Sequence, residues 1–134
     1  MTVKAADAVN YIEERRDFLI KLSDEIWEHA EVGLHEERSA RALIAALEAE
    51  GFEVEKGVAG MPTAFVATWG SGSPVIGFLG EYDALPGLSQ AAVPYRQELR
   101  PGAPGHGCGH NLLGVGSLAG AIGLARELKS RGLP

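Results

Sequence analysis

At 134 residues the chain has room for one domain around one hydrophobic core, and 46% hydrophobic residues make its composition globular rather than disordered. A net charge of −6 argues against nucleic acid and anionic membranes as partners. One cysteine excludes an internal disulfide, the opening MTVKAADAVNYIEERRDF lacks the apolar core of a secretory signal, and the nearest thing to a membrane span, 112–125, is short and broken by glycines. The expectation is a cytoplasmic protein without a membrane partner.

In chain order, residues 7–31 read as a long helix, with Ile12, Leu19, Leu22 and Ile26 at helical spacing and Gly33 breaking the pattern. A second helix, 36–50, buries Leu43, Ala46 and Leu47 and is capped by Gly51. FEVE (52–55) and TAFVATWG (63–70) predict two strands joined through a turn at Gly60-Met61-Pro62. PVIGFLGEY (74–82) predicts a third, whose continuous apolar run implies burial on both faces. From Gly87 to Gly107 the chain has three prolines, four glycines and little periodicity, the mark of a functional or mobile loop. A helix then runs from about His110 to Ser130, apolar nearly all round, so its first half should be buried. Gly116, Gly120 and Gly123 within it suggest close approach to a neighbouring sheet. The order helix, helix, strand, strand, strand, helix, with no strand after the last helix, reads as the first part of a larger α/β domain.

Charge distribution singles out one acidic pair. Residues 1–56 hold 14 of the 18 acidic residues, whereas Glu81 and Asp83 are the only acids between Glu55 and Glu98. They follow the third predicted strand at its carboxyl end, where open α/β sheets place active sites, and two-residue spacing puts them on one face. The second concentration is GHGCGHN, 105–111. Cys108 and His110 are soft and borderline donors suited to a transition metal, just ahead of a helix start that favours thiolate. A bare C-x-H is equally the mark of a buried structural thiol, and a cysteine nucleophile with His106 or His110 as base is a third reading.

Together, GEYDALPGLSQ (80–90), the proline-rich loop, GHGCGHNLLG (105–114) and IWEHAEVGLHEERSA (26–40) resemble the aminoacylase/carboxypeptidase superfamily of metal-dependent amidohydrolases. The resemblance implies that residues 1–134 are the N-terminal portion of a three-layer α/β/α zinc-peptidase-like catalytic domain, with the dimerisation domain and the C-terminal catalytic portion absent. It implies Cys108 and His110 as ligands of a zinc or manganese pair, and Asp83 as the acid that orients a ligand from behind. Glu81 stands where many relatives have a histidine ligand, Asn111 where several have aspartate, and His106 beside the metal motif in a supporting position. The implied reaction is hydrolysis of an N-acyl or aminoacyl amide, a small-molecule substrate, with a downstream glutamate as general base. Without that base this chain is expected to be inactive alone. The competing reading is a noncatalytic remnant or interaction module, and in either case an exposed sheet edge and apolar helix predict a homo-oligomer.

Overall fold

The computed structural model describes residues 6–134, and within them the chain is mixed α/β. Four helices, α1 (Ala6–Glu14), α2 (Arg16–His29), α3 (Glu37–Ala49) and α4 (His110–Ser130), surround a ribbon of β1 (Glu53–Lys56) and β2 (Phe65–Thr68). The strands pair antiparallel, with Glu53 opposite Thr68 and Lys56 opposite Phe65. This arrangement is compatible with part of an α/β domain.

The core follows the apolar periodicity. Leu19, Leu22 and Ile26 of α2 meet Leu43, Ala46 and Leu47 of α3 and Val115, Leu118, Ile122 and Ala125 of α4, with Phe52 closing one end. Ile26 is wholly inaccessible to solvent. The end of α3 shows how local sequence sets the path. Gly51 takes φ +87°, its N–H reaches Glu48 O at 3.0 Å, and Phe52 N–H reaches Leu47 O at 3.1 Å. Those paired bonds satisfy the last carbonyls and turn Phe52 back into the core. No heavy atom outside its chain neighbours lies within 4 Å of a Cβ placed on Gly51, so only the left-handed backbone resists a side chain. Gly51→Ala should therefore cost about 1 kcal/mol, read as a lower melting temperature without loss of helix content.

Three expectations are corrected. The long first helix is two, parted at Arg15, whose N–H is shared between Tyr11 O and Ile12 O. The predicted third strand, 74–82, has no strand pairing among the described residues. Its apolar side chains are largely uncovered, Val75 being 89% exposed and Leu79 84%, because no neighbouring strand offers a ladder or a second face. The segment instead lies along α4, where Ser117 Oγ donates to Leu79 O at 2.6 Å. At the start of α4, Leu112 and Leu113 are exposed while Val115 and Leu118 are buried, so burial there is one-sided.

The glycines of α4 act partly as expected. A Cβ on Gly120 would fall 2.7 Å from the Phe78 ring, and one on Gly123 would touch Ile12 of α1, so the close approach is to a loop and a helix rather than to a sheet. Gly116 faces open space. The 87–107 loop is organised by its own bonds. Ser89 N–H reaches Ala103 O at 3.0 Å, Arg100 N–H reaches Ser89 Oγ at 3.1 Å, and Gln90 Nε2 donates to Tyr95 O at 2.8 Å.

Candidate metal centre

Two short backbone pairings bring the acidic pair to the start of α4. Ala84 N–H donates to Glu31 O at 2.7 Å, in a parallel bridge between Val32 and Ala84. Leu85 and Gly105 exchange both N–H···O bonds at 3.0 Å, which ties the acidic loop to the turn before α4. Gly105 is there because nothing larger fits: a Cβ would lie 2.1 Å from Leu88 O. Gly109, at φ +75°, turns the chain into α4, and its carbonyl accepts from Leu112 and Leu113. A Cβ on Gly114 would come within 3.0 Å of Glu81 O, so α4 presses directly on the acidic loop.

The result is a compact trio. Glu81, Asp83 and His110 each offer a ligand atom within 4.8 Å of the others. Asp83 Oδ1 lies 2.7 Å from His110 Nδ1, and Glu81 Oε2 lies 3.1 Å from His110 Nε2. Thus the two acids do share a face although no strand carries them. Tyr82 between them points away: its OH donates to Thr63 O at 2.5 Å and its ring stacks on Phe65. Burial, with the Glu36 carboxylate nearby, pushes the Tyr82 phenol up to about 12.

The other predicted residues are placed differently. Cys108 is a free, exposed thiol outside the trio. Asn111 is buried, and its Nδ2 is engaged with Ser23 Oγ of α2 at 3.0 Å. His106 is half-buried, with Nε2 3.0 Å from Ile26 O. The sequence gives no sign of Glu31, which supports the whole arrangement. Besides holding Ala84 through its carbonyl, its carboxylate accepts from Arg38 N–H, Ser39 N–H and Ser39 Oγ. Glu36 makes no capping bond, so Glu31 caps α3 from outside the helix. Burial pushes the Glu31 carboxyl up, but the bonds from Ser39 and Arg38 outweigh it and leave the group below its ordinary value. Only its fixed partners could have revealed this, since nothing periodic links positions 31, 39 and 84.

The donor set fits a divalent ion. Carboxylate oxygens and an imidazole nitrogen are donors that zinc and manganese both accept. An ionised carboxylate only accepts, so His110 Nδ1 donates to Asp83 and the neutral ring turns a lone pair, Nε2, towards Glu81 Oε2. Two acceptors face each other at 3.1 Å only with a proton or a cation between them.

Sequence comparison gives the chemistry a context. The chain is similar to amidohydrolases and peptidases. It is 47% identical over 122 residues to a p-aminobenzoyl-glutamate hydrolase of Escherichia coli (strain K12), covering 90% of this chain and 25% of that protein. Xaa-Arg dipeptidase of Mus musculus is 34% identical over 137 residues, covering 95% and 28%. Thermostable carboxypeptidase 2 of Saccharolobus solfataricus (strain ATCC 35092 / DSM 1617 / JCM 11322 / P2) is 29% identical over 120 residues, covering 88% and 30%. The chain thus spans between a quarter and a third of the length of these relatives. No family model matches it. Among the described residues, no helix is long and apolar enough to cross a membrane.

Proposed function

We propose that this chain carries one side of a divalent-metal centre for amide hydrolysis, within the first part of a three-layer α/β/α peptidase-like domain. The substrate is an N-acyl or aminoacyl amino acid, of p-aminobenzoyl-glutamate or dipeptide type. The observation that carries the reading is the His110 ring held between two carboxylates, one gripping Nδ1 and the other facing Nε2. In this reading His110 Nε2 and Glu81 hold the ion and Cys108 adds a thiolate from the turn before α4. Asp83 fixes the ring's tautomer and orientation, as acids behind metal-bound histidines do. Zinc or manganese, when bound, would polarise the scissile carbonyl and lower the pKa of water. Asn111 anchors the first turn of α4 to α2, so that His110 does not drift from Asp83.

The chain alone supplies no positioned base and is expected to bind metal without turnover. The test is calorimetric titration of the purified chain with Mn²⁺ and Zn²⁺, beside an assay on p-aminobenzoyl-glutamate and an arginine-terminated dipeptide. Stoichiometric binding lost in His110→Ala, with no hydrolysis, is the expected result. A chain that takes up neither ion overturns the centre. Turnover abolished by Cys108→Ala overturns the inactivity.

A second reading is favoured by the uncovered apolar side chains of Val75, Ile76 and Leu79. Here the chain is a noncatalytic module that self-associates along this segment and the exposed start of α4. Light scattering with elemental analysis separates the two, since a metal-free oligomer supports only the module.

A further inference from the structure

Among the described residues one buried side-chain nitrogen lacks a hydrogen-bond partner, and it is His106 Nδ1. Orphaned polar atoms of this kind are rare in folded proteins, and each asks for an explanation. The other ring nitrogen, Nε2, lies 3.0 Å from Ile26 O. A peptide carbonyl only accepts, so Nε2 carries the hydrogen and the neutral ring leaves a bare lone pair on Nδ1. That carbonyl also accepts from Ala30 N–H at 3.2 Å, so His106 is anchored on the last turn of α2.

The ring has little freedom to turn away. On one side Gly105 is locked to Leu85 by two backbone bonds and wedged against Leu88 O. On the other, His106 O accepts from Gly109 N–H at 3.1 Å, directly before α4. His106 therefore belongs to the same rigid turn as His110. It is not one of the three residues whose donor atoms already lie within 4.8 Å of one another. It does border them, for the charges of His110 and Asp83 both act on it.

We propose that His106 Nδ1 is a further nitrogen donor for the cation assigned to Glu81, Asp83 and His110, held in the donor tautomer by the Ile26 carbonyl. The proposal rests on that reading of the centre. It accounts for a lone pair that is buried, uncompensated and beside two carboxylates, where a cation is the partner in shortest supply. It also gives the first histidine of GHGCGHN a role distinct from that of His110.

The test uses the full chain loaded with Co²⁺, whose bound histidines give strongly displaced exchangeable ring N–H signals in proton NMR. Two such signals are expected, from His110 Nδ1–H held by Asp83 and from His106 Nε2–H held by Ile26. His106→Gln keeps an amide N–H for the Ile26 carbonyl but has no lone pair at the Nδ1 position. It should lose one signal and bind Mn²⁺ about tenfold more weakly in calorimetry, with little change in melting temperature. His106→Asn does the reverse, losing the tether to α2 while keeping an acceptor near Nδ1, and should melt earlier but bind better than His106→Gln. A single displaced signal in the wild type, or wild-type affinity in His106→Gln, overturns the role of His106 and leaves the centre standing. Failure of the wild-type chain to bind any of the ions overturns the centre and the His106 donor with it.

Discussion

Gly105→Ala is expected to destabilise the chain by about 3 kcal/mol, the upper end of the cost of forcing atoms into a packed site, and to lower the melting temperature by roughly 10 °C. The added methyl would lie 2.1 Å from Leu88 O, 2.6 Å from Leu88 C and 2.9 Å from Ser89 N. All three are backbone atoms, so no rotamer change relieves the overlap. Either the 87–89 segment moves or the paired bonds between Leu85 and Gly105 break, and both routes disturb the loop that holds Asp83. The loss should appear in thermal unfolding and, in parallel, as weakened metal uptake. Gly116→Ala is the control: it faces open space on an exposed helical position, and should gain about 0.5–1 kcal/mol from helix propensity. A Gly105→Ala chain that melts with the wild type would show that the overlap is not a constraint.

Asp83→Asn should separate chemistry from folding. The amide oxygen can still accept from His110 Nδ1–H, so the ring keeps its orientation, but the negative charge behind it is gone. Replacing such an acid typically costs about 10–100-fold in metal affinity, and that range is expected for Mn²⁺ and Zn²⁺ here. The melting temperature of the metal-free chain should barely move, because Asp83 is partly exposed and its carboxylate bonds to the His110 ring itself. Calorimetry on both chains checks the pair of expectations. Equal affinity in Asp83→Asn would mean that Asp83 does not tune the ion, and His110 would have to be oriented by Glu81 alone.

What the sequence made legible is what local rules determine. Helix α3 could be read nearly to its ends because Leu43, Ala46 and Leu47 share a stripe and Gly51 supplies the left-handed turn that stops it. Helix α4 began where the glycine run gave way to periodic apolar residues. The break at Arg15 was illegible, since the apolar spacing of Ile12 and Leu19 runs across it unchanged. PVIGFLGEY misled for a different reason: an apolar run records a need for burial, not whether a neighbouring strand is there to meet it. Glu81, Asp83 and His110 could each be singled out by isolation or by motif, but not their meeting. That depends on the Val32–Ala84 and Leu85–Gly105 bridges, which join residues far apart in the chain by backbone atoms that carry no residue signature.

The double attachment of Glu31 couples two parts of the molecule that look independent. Its carbonyl sets the depth of Ala84, next to Asp83, and its carboxylate sets the first turn of α3. A shift of the acidic loop towards a bound ion therefore pulls on the amides of Arg38 and Ser39, and tightening that turn of α3 pulls back on the loop. One residue thus works as a lever arm between a helix end and a binding loop, with one load on its backbone and the other on its side chain.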